Sequence, residues 1–374
     1  MQVYFDNSAT TKVSRAAADK AYIMMTENFG NPSSLHTFGI RAEEELEAAR
    51  TVIAKSLGAS EREIYFTSGG TEANNLSLFG AAESRKRMGT KIVVSAVEHS
   101  SVIGACKRLE DMGYEVEYVM PDKDGKISES SLENAIDENT ILVSLMAVNN
   151  ETGAIQPYSS VKRIIKKKNA PALFHCDCVQ AYGKISIKAE KTGADLLTVT
   201  AHKLHGPKGT GALYIKRGTR IMPLIFGGEQ ESRVRPGTQS APLVAAFGQA
   251  VREVDYRAVQ NVAEISEYIK SFVSKMDRVY INSPNDALPY ILNFSVVGIK
   301  SETMLHFLAG RGVYVSSGSA CAKGKQSHVL TAMGLEKERA DCAIRLSFSK
   351  YSTMEEAEYF CSALKEGAET LIRK

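Results

Sequence analysis

Short apolar runs alternate with longer segments of helical periodicity through the first two-thirds of the chain. Residues 64–66, 92–97, 115–120, 141–148, 172–177, 196–200 and 211–215 read as strands. Between them lie helical patterns. Ser14 is placed to cap an Ala-rich helix that stops at Gly30-Asn31-Pro32. From Ile40 the apolar positions Leu46, Ala49, Ile53 and Leu57 share one helix face, and Gly58 ends the run. Further helices are predicted from Thr71, over 102–112 and over 161–168. Strands alternating with helices predict an α/β protein whose mostly parallel sheet is covered on both faces.

After Gly237 the pattern changes. Residues 241–276 read as helical throughout, followed by strands over 290–296 and 344–348 and helices over 302–308 and 354–372. This predicts a large α/β domain over residues 15–250. A smaller α+β domain is predicted from residues 1–14 and 251–374.

The chain has 374 residues, of which 44% are hydrophobic and 24% charged, enough for a sizeable core and too apolar for a disordered chain. The 46 basic and 43 acidic residues leave a net charge of +3, which gives no basis for nucleic-acid or anionic-membrane binding. No apolar run approaches the roughly 18 residues that span a bilayer, and the N-terminus lacks a secretory pattern. Six cysteines in a chain of this length do not suggest a disulfide framework, and a cytoplasmic location is expected.

Several polar motifs follow directly on predicted strands, where a parallel sheet gathers ligands at its carboxyl edge. His202-Lys203 follows residues 196–200. A lysine partly desolvated at such an edge is a nucleophile for an aldehyde. Asp177 ends another strand, where a carboxylate can pair with the ring nitrogen of a pyridine. Cys176 and Cys178 alternate with it, so if Asp177 faces a ligand both thiols face the packed layer. Ser68-Gly69-Gly70-Thr71-Glu72 joins a strand to a helix and suits a single phosphate, without the lysine of a Walker motif. Glu98-His99 and Asn149-Asn150-Glu151 close two further strands. A surface lysine, a capping aspartate and ordinary turn residues are the plain alternatives at these positions. In the Gly-punctuated segment 316–325, Cys321 is flanked by Lys323 and Lys325, and nearby positive charge favours the thiolate. Arg345 interrupts an apolar strand and suits a bidentate carboxylate clamp or a sheet-edge salt bridge.

Taken together, these motifs resemble the cysteine desulfurases of the NifS/IscS type, pyridoxal-phosphate enzymes of the class V aminotransferase group with fold type I. The resemblance is carried by residues 4–11, 30–36 and 70–72, by Glu98-His99, residues 149–151 and Asp177 with Gln180, and by His202-Lys203, residues 235–238 and 316–321. It spans the whole chain in order.

The resemblance implies that Lys203 carries pyridoxal 5'-phosphate, that Asp177 pairs with the pyridine nitrogen, and that Gln180 and Asn150 contact the ring's phenolic oxygen. His99 would stack on the ring and move protons. Gly70, Thr71, Thr200 and His202 would hold the phosphate, joined by Thr238 from a partner subunit in a homodimer. Arg345, with Asn150, would bind the carboxylate of L-cysteine. Cys321 would take the sulfur as a persulfide, leave L-alanine, and pass the sulfur to an iron–sulfur scaffold or a tRNA-thiolation enzyme. No metal site is expected beyond a transient iron–sulfur ligand role for Cys321. A selenocysteine lyase would share nearly all these residues. A sulfur-relay or iron–sulfur scaffold without enzyme activity would leave Lys203 without a purpose. The chain departs from the family pattern at Thr200 and Pro236, where serine is usual, and at Cys178, where alanine is. The loop after Cys321 is also shorter than in many such enzymes.

Overall fold

The computed structural model describes residues 1–317 and 326–371. Cys321, Lys323, Lys325 and most of the Gly-punctuated segment 316–325 therefore lie outside the described residues. The strands are β1 (Val3–Tyr4), β2 (Ile64–Thr67), β3 (Lys91–Ser95), β4 (Glu115–Val119), β5 (Thr140–Ser144), β6 (Leu173–Asp177), β7 (Leu196–Thr200), β8 (Gly211–Ile215), β9 (Val279–Ile281), β10 (Ile291–Val296), β11 (Val313–Tyr314) and β12 (Ala343–Ser347). Seven of them form one sheet in the order β2-β8-β7-β6-β5-β3-β4. The pairs from β7 to β4 are parallel, and β8 runs antiparallel to both neighbours.

Strands β5 to β8 are buried along their whole length, as a sheet covered on both faces requires. The period-two alternation sends Val93, Val143, Phe174 and Leu197 into one apolar layer. Ile92, Leu142, Leu173 and Leu196 enter the other.

Four early helices matter for the site: α1 (Arg15–Thr26), α2 (Thr37–Leu57), α3 (Gly70–Arg85) and α4 (Ser100–Asp111). Ser14 caps α1 by accepting from Ala17 N–H at 3.2 Å. The helix ends at Thr26, short of Gly30. Helix α2 starts earlier than the apolar pattern, because His36 Nδ1 accepts from Gly39 N–H and caps it. The apolar run 141–148 stops being a strand at Ser144. Beyond it, Met146 N–H turns to the buried carboxylate of Glu98 at 2.6 Å instead of to a neighbouring strand. The segment 241–276 is two helices, Ala241–Arg252 and Ala258–Val273. Asp255 Oδ1 accepts from Arg257 N–H in the break between them.

The short strands β1, β9 and β11 fall below what periodicity detects. They have structural consequences all the same. β1 pairs in parallel with β11, and β9, β10 and β12 form an antiparallel sheet. Asn7 Nδ2 donates to Ser347 O at 2.9 Å, and Ser8 N–H donates to Ser347 Oγ at 2.7 Å. The first residues of the chain are thus threaded between the C-terminal sheet and the turn that carries Lys203. Among the described residues no helix is long and apolar enough to cross a membrane.

Candidate active site

A cavity of about 390 Å³ opens at the carboxyl edge of the large sheet. Its lining includes Gly70, Thr71, His99, Asn150, Asp177, Gln180, Thr200, His202, Lys203 and Arg345. The structure therefore brings together ten of the twelve site residues expected from the sequence. Of the other two, Thr238 is exposed and does not line the cavity within one chain. Cys321 lies outside the described residues.

Lys203 ends a 3-10 turn directly after β7. Its Nζ donates to Ala9 O at 2.8 Å and to Ser8 O. The same N-terminal segment holds the turn's backbone, with Thr11 N–H donating to His202 O at 2.9 Å. Asp177 closes β6. Its Oδ1 accepts from Val179 N–H at 2.9 Å, and its Oδ2 accepts from Asn74 Nδ2 at 2.8 Å. Those bonds fix the carboxylate's plane at the cavity wall.

The Ser68-Gly69-Gly70 turn depends on backbone geometry. Gly69 caps α3 at φ 152°, ψ −177°, a region essentially open to glycine alone. It also packs against Gly211, where an added Cβ would lie 2.9 Å from the Cα of Gly69. The first N–H groups of α3, those of Gly70 and Thr71, stand at a helix N-terminus that favours an anion. Arg235 Nε pairs with Glu72 Oε1 at 2.7 Å, tying the Arg235-Pro236-Gly237-Thr238 turn to this one. Burial alone would raise the Glu72 carboxyl, but hydrogen bonds from Arg235 and Ser68 hold it below its usual value.

His99 caps α4, with Nδ1 accepting from Ser101 N–H at 3.2 Å. Burial lowers its pKa; Lys203 and His328 push the same way, and Asp177 opposes them. His202 is pushed down to about 4 by burial and by Lys203, Lys208 and His99. Neither ring favours a positive charge at neutral pH.

Arg345 is 2% exposed. Its Nη2 meets Asp6 Oδ1 at 2.8 Å, and its Nη1 donates to Asn150 O at 3.0 Å. The guanidinium is thereby oriented from two sides at the cavity wall. The salt-bridge alternative left open by the sequence is also real: Arg345 has a carboxylate partner in Asp6.

Gln180 Nε2 donates to Ser8 O at 3.0 Å, while its Oε1 accepts from Lys184 Nζ at 2.8 Å. Lys184 was not singled out from the sequence, and no local signal marks it. It lies buried beneath the site, and burial pushes its ammonium down to about 7, with Lys203 and Arg345 adding to the shift.

Glu98 and Glu151 are also buried, and burial raises both carboxyls above their usual value. Ser327 Oγ donates to Glu151 Oε2 at 2.5 Å. His328 Nε2 and Glu98 O lie 2.9 Å apart. These residues link the start of the helix His328–Ala332 to the cavity. Cys176 and Cys178 pack in the core with sulfurs 3.7 Å apart, and burial raises the Cys176 thiol well above its usual value. As the strand alternation predicts, neither lines the cavity.

A strand-edge lysine, a carboxylate, a glycine-rich helix N-terminus and a buried arginine around one cavity define a site of a recognised class. Residues 3–360 match the aminotransferase class-V family model, and the chain belongs to that family. The "Cysteine desulfurase IscS" of Dictyoglomus turgidum is 39% identical over 378 residues, covering 99% of this chain and 95% of that protein. A solved "NIFS-like protein" superposes with a TM-score of 0.94 at 40% identity, covering 99% of this chain and 100% of its own. A second solved structure, SspA in complex with cysteine, has a TM-score of 0.84 at 32% identity, covering 94% of this chain and all of its own. Within class V the chain is a member of the NifS/IscS group of cysteine desulfurases.

Proposed function

We propose that this protein is a pyridoxal-phosphate-dependent cysteine desulfurase that converts L-cysteine to L-alanine and receives the sulfur as a persulfide on Cys321. The observation that carries this reading is the convergence of Lys203, Asp177, His99 and Arg345 on one cavity beside the N-terminus of α3.

The donor set fits the cofactor. Lys203 would supply the amine for its aldehyde, Asp177 a carboxylate for its ring nitrogen, and Gln180 an amide for its phenolic oxygen. The backbone of Gly70 and Thr71, with Thr200 and His202, supplies the phosphate cradle. A Cβ at Gly70 would meet Val179 Cγ2 at 3.0 Å, so glycine lets this turn sit tight against Val179 at the cavity wall. When bound, pyridoxal phosphate supplies an electron sink for a negative charge developing at the substrate Cα.

The chain's own residues do the rest. Arg345 binds the substrate carboxylate, and the bonds to Asp6 and Asn150 hold its plane in advance. Asp177 would hold a proton on the ring nitrogen of the bound cofactor. The Cys321 thiolate attacks the substrate sulfur. The carbon–sulfur bond breaks, its electron pair stays on carbon, and carbon takes a proton to give alanine. Sulfur leaves as the outer atom of the Cys321 persulfide, for a protein acceptor of iron–sulfur assembly or tRNA thiolation.

The working unit in this reading is a homodimer. Large apolar side chains stand exposed at Phe29, Leu35 (96%) and Phe226 (82%), surface that suits a second copy. Thr238 has no place in its own chain's cavity. The test of the function is direct: purified protein carrying pyridoxal phosphate should release alanine and, with a thiol reductant, sulfide from L-cysteine. Absence of both would end this reading.

A further inference from the structure

His99 and Asp177 are connected by two residues that no motif assigned. Asn74, in the second turn of α3, is 1% exposed. Its Nδ2 lies 2.8 Å from Asp177 Oδ2 and 2.8 Å from Ser101 Oγ. Ser101 Oγ is in turn 2.8 Å from His99 Nδ1, and Ser101 N–H donates to the same nitrogen at 3.2 Å.

Donor and acceptor counting gives this chain a direction. A carboxylate accepts and does not donate, so the amide must turn its NH₂ toward Asp177. The second hydrogen of that NH₂ points at Ser101 Oγ. That oxygen, already accepting, has its own proton to give to His99 Nδ1. The backbone N–H of Ser101 can only donate. Nδ1 thus faces two donors and is the bare nitrogen of the ring. Nε2 makes no hydrogen bond among the described residues. Asn74 Oδ1 likewise has no partner there, so the amide is held through its NH₂ alone.

We propose that Asn74 and Ser101 form a one-way hydrogen-bond relay from Asp177 to His99 that keeps His99 neutral with its proton on Nε2. Asn74 is a positioning residue in this scheme. Protonating Nδ1 would set an N–H against the Ser101 backbone N–H, so the relay opposes the imidazolium. Burial acts in the same direction. A ring in this state offers a donor to the cavity and cannot take a proton at Nε2. His99 then serves by donating a hydrogen bond to developing negative charge. That catalytic meaning rests on the desulfurase reading; the tautomer itself does not.

The test is ¹⁵N NMR of full-length protein labelled at histidine, with and without pyridoxal phosphate. A His99→Gln sample assigns the His99 signals among the seven histidines. Across pH 6 to 9, wild-type Nδ1 should resonate as an unprotonated ring nitrogen and Nε2 as a protonated one. In Asn74→Ala the two signals should move toward each other as the second tautomer becomes populated, and the titration midpoint of His99 should rise. Asn74→Ala frees the Ser101 hydroxyl to turn and accept from Nδ1, whereas Ser101→Ala removes that oxygen and keeps the backbone donor, so it should shift them less. A protonated Nδ1 in the wild type at neutral pH would overturn the relay, as would unchanged tautomer signals in Asn74→Ala. If Asn74→Ala fails to fold, Ser101→Ala and the wild-type spectrum decide alone. Failure of the desulfurase reading would look different: no alanine from cysteine, with the His99 tautomer as described.

Discussion

Arg345 Nη2 and Asp6 Oδ1 lie 2.8 Å apart, so the buried guanidinium is held by a residue from the opposite end of the chain. The pair fixes the plane of the guanidinium, which in the proposed reaction would face the substrate carboxylate. Arg345→Lys keeps the charge and loses the planar fork. It should raise the KM for cysteine at least tenfold, equivalent to about 1.4 kcal/mol, while leaving cofactor content unchanged. Asp6→Asn should show a smaller rise in KM together with a lower midpoint of thermal unfolding. An unchanged KM in Arg345→Lys would remove Arg345 from the substrate site.

Lys203 is held against Ser8 O and Ala9 O, with its Nζ at the cavity wall. Lys203→Ala should lose the visible absorption of lysine-bound pyridoxal phosphate and all detectable alanine formation. Denaturing gel filtration after borohydride reduction checks the covalent link: wild type should retain the label and the variant should not. A labelled Lys203→Ala protein would place the cofactor on another lysine.

Lys184 gives a pH prediction. Its folded pKa of about 7 lies below the ordinary lysine value of 10.5. Below pH 7 both folded and unfolded chains carry the proton, and the cost of the buried charge is fully present. Between pH 7 and 10.5 the unfolded chain binds more protons, so stability rises with pH. From pH 7 to 9 wild type should gain about 2 kcal/mol relative to Lys184→Met, at no more than about 1.36 kcal/mol per pH unit. Urea unfolding of both proteins at the two pH values measures the difference. A difference that does not change with pH would mean that Lys184 keeps an ordinary pKa.

The exposure of Thr238 predicts shared active sites. In a heterodimer of Thr238→Ala and Lys203→Ala chains, both defects fall in one site, and the other is built from intact surfaces. Mixed chains should recover roughly half the wild-type activity per heterodimer, measured on tagged, purified heterodimers. Verified heterodimers without recovery would show that Thr238 serves the site of its own chain.

The sequence carried the parts of the site that sit next to strong backbone signals. Asp177, Lys203, His99 and the Gly69-Gly70 turn each follow a strand, so the parallel-sheet rule alone places them on one edge. Residues that act from a distance were hidden. Asn74 and Lys184 lie inside helical or turn segments, where nothing local separates them from solvent-facing polar residues. The partner of Asn74, Asp177, comes from elsewhere in the chain, and although Gln180 is only four residues from Lys184, the burial of that lysine is set by the fold around it. In the sequence Asp6 is visible only as part of the motif at residues 4–11, because its pairing with Arg345 spans nearly the whole chain. The break at Glu253–Arg257 was missed for a related reason. Apolar spacing runs on through 241–276, and the interruption comes from a short Asp255–Arg257 hydrogen bond rather than from glycine or proline. Two-residue strands such as β1 and β11 have no periodicity to read.

The central claim is that Cys321 receives the sulfur. The measurement that tests it most directly is mass spectrometry of trapped persulfides after adding L-cysteine to wild type and to Cys321→Ser, both loaded with pyridoxal phosphate. In wild type one added sulfur should sit on the peptide containing Cys321. In Cys321→Ser that mass should be absent, and alanine release should fall by some ten thousandfold or more, at least about 5 kcal/mol at 1.36 kcal/mol per decade. Cofactor binding at Lys203 should remain intact. A persulfide on Cys176 or Cys178, or normal alanine release from Cys321→Ser, would contradict the account.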